Sequence, residues 1–209
     1  MVSSKYHREI DTSKVISIIC TEGQAEGDIQ ANVCHLRRAD PALEDAPVEK
    51  FTSTFEDHGV DVVVFGAGAG EKGDPARIKA VDYLGALKVF DAIEAVERAQ
   101  KPRLILISAT DIRDPNKIPD HYNEADIEYS RRARPVAAHY CETEYEADKN
   151  LVQRTTFKWT IRDDVAKTIA LLVDRPDAAG LALDVVGGET PLEEGLDVAN
   201  KNRVTAWVG

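Results

Sequence analysis

Short apolar runs rich in Val and Ile alternate along this chain with longer segments whose apolar residues recur at three- and four-residue spacing. Uninterrupted apolar runs are typical of strands buried on both faces, whereas the longer spacing is typical of helices that cover a sheet. This alternation favours an α/β fold with a doubly wound parallel sheet, in one domain spanning residues 14–209 after a polar tail at 1–13. The pattern predicts strands at 15–20, 33–37, 61–66, 103–108, 157–161 and 181–186, and helices at 47–57, 75–100, 136–154 and 163–174.

Two places depart from a regular alternation of strands and helices. The strand predicted at 157–161 runs almost directly into the helix at 163–174, although such connections usually take about 2–6 residues. The first predicted strand follows the polar tail, so the chain opens without a strand–glycine–helix unit. Because that unit is missing, we expect a sheet truncated at its N-terminal βα unit. Further along the chain, Pro135 separates the polar segment 123–134 from the helix after it.

Charge, cysteines and histidines narrow the classes of partner. The formal net charge is −11 and no cluster of Lys and Arg stands out, so we expect no nucleic-acid partner and no membrane partner. Cys20, Cys34 and Cys141 show no paired spacing, which favours a reducing compartment, and the five histidines form no metal-binding cluster. No apolar run approaches the roughly 18 residues of a membrane helix. A cytoplasmic protein without a metal is the expectation.

One predicted strand leads into a run of glycine and alanine, in the segment DVVVFGAGAGEKGD. Gly68, Gly70 and Gly73 satisfy the G-x-G-x-x-G pattern between a strand and a helix, where absent side chains let backbone amides approach a nucleotide. The acidic residue that this pattern requires about 20 positions later is missing, because Asp91 lies in a predicted helix and Asp111 is too distant. The segment is therefore either a ligand contact or a tight turn.

Three polar residues of the chain are candidates for acid–base chemistry. Ser108 ends a predicted buried strand, where doubly wound sheets bind ligands, and it either contacts a ligand or caps the strand. A tyrosine that acts as a general acid and base needs a nearby ammonium to lower the pKa of its phenol, and YxxxK spacing places both groups on one helix face. Tyr145 and Lys149 have this spacing, which an ordinary solvated helix pair has as well.

Three segments resemble a known family: DVVVFGAGAGEKGDPARIKAVDYLGALKVFDAIEA, RLILISATDIRDP and DDVAKTIALLVDRPDAAGLALDVVGGETPLEEGL. They are similar to the atypical short-chain dehydrogenase/reductase group, in particular its NmrA-like, NAD(P)-binding epimerase/dehydratase-like proteins of fungi and bacteria. The resemblance implies a Rossmann-like fold and NAD or NADP as cofactor. It places the run Gly66, Ala67, Gly68, Ala69 and Gly70 at the adenine and ribose side of that cofactor.

The resemblance also indicates where this chain departs from the family near the cofactor. In the family the phosphate-binding GATGxxG follows the first strand, so the strand at 15–20 corresponds to the second. The missing unit would remove the helix N-terminus that neutralises the pyrophosphate, so we expect weak or no NAD(P)H binding. Cys20 stands where the family commonly places an Arg that meets the 2′-phosphate of NADP, which leaves NAD and NADP open. The junction after residue 161 falls where the family carries a substrate-covering loop.

Candidate catalytic residues come from the same resemblance. The position of Ser108 is that of the Ser or Thr that hydrogen-bonds the substrate or the nicotinamide ribose. Two registers are open for the tyrosine: the YxxxK pair named above, or Tyr140 with Glu144 at the lysine position, which places Asp148 at the acidic position that follows. We favour Tyr140 and Ser108 as the catalytic pair.

The function expected from this resemblance is that of an NAD(P)-dependent oxidoreductase or epimerase-like protein acting on a small carbonyl or hydroxyl substrate. The alternative is a catalytically inactive NmrA-like protein that serves as a dinucleotide-sensing or protein-interaction module. A truncated gene product with an exposed sheet edge is a third hypothesis. Helical faces such as 75–100 could pair copies of the chain into a homo-oligomer.

Overall fold

Six parallel strands form one sheet in the order β2-β1-β3-β4-β5-β6. The computed structural model describes residues 15–20, 33–34, 42–69, 74–120, 122–162, 166–183 and 190–207. The Rossmann-like α/β architecture predicted from the sequence is thereby confirmed. The strands are β1 (Ile16–Cys20), β2 (Val33–Cys34), β3 (Val62–Gly66), β4 (Arg103–Ile107), β5 (Trp159–Arg162) and β6 (Ala182–Leu183).

Helices flank the strands on both sides of the sheet. One continuous helical stretch after β3 consists of α3 (Pro75–Ile78), a π-helical segment (Lys79–Gly85) and α4 (Ala86–Ala95). The other helices are α1 (Ala42–Asp45), α2 (Val48–Asp57), α5 (Glu124–Ala133), α6 (Ala138–Val152), α7 (Ala166–Val173) and α8 (Leu192–Asn202), with a short 3-10 turn at Pro176–Ala178. None of the helices in the described part of the chain is long and apolar enough to cross a membrane.

The two faces of the sheet bury different helices. Val63, Phe65, Leu104 and Leu106 point to one face, where the apolar sides of α2, α4 and α6 cover them. Their neighbours in the strands, such as Ile105, point to the other face against α7 and α8. Both faces are therefore apolar, which explains why these strands are continuous hydrophobic runs and not alternating ones.

The strand order places β1 between β2, at one edge of the sheet, and β3. β1 pairs with β2 on one side and along its whole length with β3 on the other, from Ile16 opposite Val62 to Cys20 opposite Gly66. This is where the strand order reverses, the position at which doubly wound sheets bind ligands. The order is also the one expected if residues 15–20 correspond to the family's second strand, because without a first strand the second pairs directly with the strand that ends in the glycine–alanine run.

Several predicted boundaries need correction. The helix predicted at 75–100 ends at Ala95, because the ammonium of Lys101 donates to the carbonyl oxygens of Glu94 and Val96, both at 2.6 Å, and closes the helix end. The polar segment 123–134 contains helix α5, and α8 was not predicted. The predicted strand 157–161 begins two residues later and ends one residue later, as β5. Three predictions concern residues outside the described part of the chain. They are the polar tail (within 1–14), the abrupt junction after the strand at 157–161 (163–165) and the end of the strand at 181–186 (184–189).

A close contact between β3 and β4 explains one of the glycines. A Cβ at Gly66 would lie 2.8 Å from Cδ1 of Ile107, while the next atoms of that side chain would be 3.7 Å away or more. Real carbon atoms do not approach so closely, so a side chain at position 66 has to displace the end of Ile107. Packing within the sheet is therefore one reason for a glycine at the end of β3.

We expect Gly66→Ala to lower the free energy of unfolding by about 1–3 kcal/mol, the usual cost of overpacking a well-filled site. Adding Ile107→Val removes Cδ1 and should restore part of that loss, so that the double variant is more stable than the sum of the single changes predicts. Urea unfolding of the four proteins of this cycle measures the coupling. Gly195→Ala in α8 is the control, because its Cβ would lie 4.0 Å from its nearest neighbour, Cγ2 of Thr190, and so displaces nothing. Strictly additive costs of the two changes would contradict the contact.

Candidate active site at the carboxyl ends of the strands

The candidate site residues from two neighbouring strands lie at one edge of the sheet. Gly66 ends β3 and Ser108 directly follows β4, and the register pairs Phe65 with Leu106. Because parallel strands present their carboxyl ends at the same edge, the loop that begins at Ala67 and the side chain of Ser108 are neighbours. Gly70, the last residue of the glycine–alanine run, lies outside the described residues.

The loop after β3 is held by a carboxylate from the helix layer. The backbone amide of Ala69 donates to Oδ2 of Asp82 at 2.8 Å. A Cβ at Gly68 would lie 3.3 Å from the other oxygen of the same carboxylate. Ala67 is buried in the core beneath the loop. The small residues at 67–69 are thus required in part by this packing, and the amide of Ala69 is already used within the protein.

Asp82 was not recognised as a site residue from the sequence. It lies in the π-helical segment Lys79–Gly85 and is 3 % exposed. Such π segments are frequent at functional sites because they redirect a side chain out of the regular helical pattern. The available signal was an acidic residue four positions after Ile78 and seven before Val89, on the apolar stripe of a helix that faces the core.

Ser108 is held by helix α6. Its hydroxyl donates to Oδ2 of Asp148 at 2.9 Å, and Ser108 also lies within hydrogen-bonding contact of Glu144. Glu144 in turn contacts the side chain of Asp82. A connected polar cluster, consisting of Asp82, Ser108, Glu144 and Asp148, therefore joins the loop after β3 to the end of β4.

The two tyrosine registers lie on different faces of α6. Glu144 and Asp148 are one turn apart and face Ser108, and Tyr140 is half-buried one turn before them along the same side of the helix. Tyr145 instead stacks on Trp207 near the C-terminus, with 5.5 Å between ring centroids, and Nζ of Lys149 lies 5.8 Å from the centre of the Tyr145 ring. The structure brings the Glu144 register to Ser108 and leaves the YxxxK pair on the neighbouring face.

Burial and crowding of negative charge change the acidity of this cluster. Burial raises the pKa of Glu144 well above its ordinary value, and the nearby charges of Asp148 and Asp82 raise it further. Burial also raises the pKa of Asp82, although the hydrogen bond from the Ala69 amide opposes that shift. Among the residues that the structure describes, no group of His, Cys, Asp and Glu side chains is arranged to hold a metal ion.

A second polar cluster shapes the segment after Ser108. Asp111 has a left-handed backbone conformation, with φ at 63°, which is uncommon for a residue other than glycine. The buried guanidinium of Arg113 donates to Asp111 at 2.6 Å and to the hydroxyl of Ser130 at 2.8 Å, and the hydroxyl of Tyr122 donates to Asp111 at 3.0 Å. Arg134 donates to the carbonyl oxygens of Asp111 and Arg113. These bonds fix the course of the chain between β4 and α6.

Solved structures with this fold include several short-chain dehydrogenases and related enzymes. The oxidoreductase YlbE of Lactococcus lactis has a TM-score of 0.60 at 19 % identity, over 88 % of this chain and 97 % of that one. dTDP-4-dehydrorhamnose reductase of Bacillus anthracis, in complex with NADP, has a TM-score of 0.54 at 12 % identity, over 94 % and 85 %. A short-chain dehydrogenase/reductase superfamily protein of Agrobacterium tumefaciens with bound NAD has a TM-score of 0.52 at 14 % identity, over 92 % and 85 %. At these identities the likeness concerns the fold.

Sequence comparison identifies relatives at higher identity. No protein-family model matches the chain. It is 33 % identical over 196 residues to UPF0659 protein C216.03 of Schizosaccharomyces pombe, covering 80 % of this chain and 75 % of that protein. It is 30 % identical over 158 residues to the uncharacterized sugar epimerase YhfK of Bacillus subtilis, covering 66 % and 68 %. With such identities over most of both lengths, and with the Rossmann-like sheet described above, the chain belongs to the epimerase-like, atypical short-chain dehydrogenase/reductase family.

Proposed function

We propose that this protein binds a nicotinamide dinucleotide at the carboxyl ends of β1, β3 and β4 and acts as an oxidoreductase or epimerase on a small substrate with a carbonyl or hydroxyl group. The observation that carries the proposal is the placement of Ser108 at the end of β4, held from α6 and next to the glycine–alanine loop of β3. The proposal is supported by the family membership and by neighbours of the same fold that hold NAD or NADP.

The described residues suit one part of a dinucleotide better than another. The amide of Ala69 is occupied by Asp82, and the acidic side chains of Asp82, Glu144 and Asp148 are buried close by. A pyrophosphate needs free amide donors and positive potential, but residues 67–69, the described part of this loop, carry no cationic side chain and the amide of Ala69 is already bonded. Uncharged ribose and base groups fit beside the small residues at 67–69. We therefore assign the loop to the adenosine or ribose part and not to the phosphates.

The chemistry proposed for the protein's own groups is limited to orientation and proton transfer. Bound NAD(P) would supply a hydride acceptor or donor. Ser108 would orient the oxygen of the substrate, and Tyr140 would take or give the proton at that oxygen. A carboxyl at position 144 replaces the cation that favours a tyrosinate in this arrangement, so we expect slow proton transfer.

A second candidate function is supported by the same polar cluster. The hydroxyl proton of Ser108 is donated to Asp148, so Ser108 offers an acceptor and not a donor to a ligand until that bond is broken. With Glu144 in the lysine position, the site would then bind a nucleotide without turning over a carbonyl substrate. Such a protein would report the state of the nicotinamide pool or dock a partner.

Titration with NADH and NADPH tests the binding proposal. We expect saturable but weak binding, with a dissociation constant on the order of 0.1 mM or about −5.5 kcal/mol, because the described loop contributes little to the phosphates. Energy transfer from tryptophan to the reduced nicotinamide provides the readout, and circular dichroism confirms that the protein is folded. AMP and nicotinamide mononucleotide serve as competitors that separate the two halves of the site. Absence of saturation at 1 mM or so for both nucleotides, in folded protein, would exclude the proposed function.

Two matched tyrosine variants distinguish the catalytic proposal from the alternative. Tyr140→Phe should lower kcat for reduction of small aldehydes and ketones by about 10²- to 10⁴-fold, because it removes one proton donor, and circular dichroism should show that the variant remains folded. Tyr145→Phe on the same helix should stay near the activity of the parent protein, since that ring stacks on Trp207. If the parent protein binds nucleotide and shows no turnover, the sensing function is the correct one. If Tyr145→Phe is the damaging change, the opposite tyrosine register is correct.

A further inference from the structure

The polar cluster contains more acidic groups than can all be ionised at such close quarters. Glu144 and Asp148 from α6 meet Asp82 from the π-helical segment, and the three residues are 7 %, 2 % and 3 % exposed. Two carboxyl groups in hydrogen-bonding contact repel each other when both are charged and attract each other when they share one proton. The contact between Glu144 and Asp82 therefore calls for a proton on one of them.

Hydrogen-bond donors within the cluster indicate which carboxyl keeps the proton. Asp82 already receives the amide of Ala69, and Asp148 receives the hydroxyl of Ser108, and both bonds favour the ionised forms. Oδ1 of Asp82 is buried without a hydrogen-bond donor when every carboxyl is ionised. A protonated Glu144 supplies the missing donor to Asp82. The contact with Ser108 lowers the pKa of Glu144, and this effect is outweighed by burial and by the neighbouring carboxylates of Asp148 and Asp82, which raise that pKa.

Charged and titratable groups surround α6 on several sides. Asp148 is on α6 itself, Asp82 is on the π-helical segment, and the backbone of β5 places Arg162 in register with Ile107, one residue before Ser108. α3 meets α6 where Nε2 of His139 lies 3.2 Å from the carbonyl oxygen of Pro75. α4 meets the far end of α6, where Arg154 pairs with Asp91 and Glu94, each at 2.8 Å.

We propose that Glu144 is a positioning residue that carries a proton in the folded protein and, by donating it to Asp82, ties the loop at 67–69 to the Ser108 end of β4. Loss of that proton places a further negative charge between the two strand ends and weakens the connection. In terms of the proposed function, on which this consequence rests, the affinity for a dinucleotide falls when Glu144 ionises.

The sign of the pH dependence follows from linkage. The pKa of Glu144 in the folded protein is raised above its value in the unfolded chain, so the folded state retains a proton that the unfolded state has released. The contribution of this group to stability is fully present below the unfolded pKa, near the ordinary value of about 4.3 for Glu, and is lost as the pH rises toward the folded pKa. Burial raises the pKa of Asp82 as well, which adds to the same trend.

The experiment compares the parent protein with Glu144→Gln, an isostere that donates through its amide and cannot ionise. We expect the unfolding constant of the parent to rise relative to that of Glu144→Gln by up to about tenfold per pH unit between pH 5 and the folded pKa of Glu144. Glu142→Gln is the matched control, because Glu142 is exposed on the same helix and should leave the pH profile unchanged. Parallel profiles for the parent and Glu144→Gln would overturn the proposal.

A ligand-free signal keeps the proposal testable if Glu144→Gln does not fold. Carbon-13 NMR of side-chain carboxyls in the parent protein should show one Glu that stays protonated well above the ordinary range, and the amide signal of Ala69 should shift as that group titrates. A full set of Glu carboxyls ionised by pH 6 would refute the proposal. NADH titrations below and above the pH at which Glu144 titrates then test whether the affinity for the dinucleotide falls when Glu144 ionises. If no nucleotide binds at either pH, the proposed function fails, and the NMR and unfolding results still decide the role of Glu144.

Discussion

The carboxylate of Asp82 holds the loop that leaves β3, and the arrangement of the candidate site depends on that contact. One oxygen accepts the amide of Ala69, and the second lies where a side chain at Gly68 would have to go. The loop is therefore fixed from the helix layer beside the sheet. In the arrangement that we propose, a protonated Glu144 connects the same group to the Ser108 end of β4.

Burying these carboxyl groups costs free energy, and hydrogen bonds from the protein offset part of that cost. A buried carboxylate without donors would cost several kcal/mol of stability, which is why buried charges are hydrogen-bonded or neutralised. Here the backbone amide of Ala69 donates a hydrogen bond to Asp82, and the hydroxyl of Ser108 donates one to Asp148. The resulting concentration of acidic groups beside residues 67–69 is unfavourable for phosphate, which is why the proposed function assigns these residues to the adenosine or ribose part of a dinucleotide.

The sequence predicted those features that depend on local chain chemistry. Parallel strands followed from runs such as 61–66, which are apolar on both faces, and the start of α3 followed from Pro75 at a position that needs no amide donor. Helix α5 was missed because few of its residues are apolar, although Asn123 and Asp126 form a capping box at its start. The role of Asp82 could not be read from spacing alone, since a π-helical segment shifts the face that each residue presents. Its partner, Glu144, lies 62 positions later in the chain, and the contact arises from tertiary packing.

Spacing also could not decide between the two tyrosine registers, because both place residues four positions apart. What separates them is the face of α6 that is buried. Glu144, Ala147, Asp148 and Leu151 form one buried stripe at three- and four-residue intervals. Two of these four positions carry an acid where the stripe calls for an apolar side chain, and Asp82 does the same on the helical segment that packs against it. Acidic residues on the facing apolar stripes of two helices are thus a pattern that can be recognised before a structure is known. Where no Lys or Arg faces them, they indicate a buried contact in which one carboxyl keeps its proton, because two ionised carboxylates repel each other when they are buried side by side.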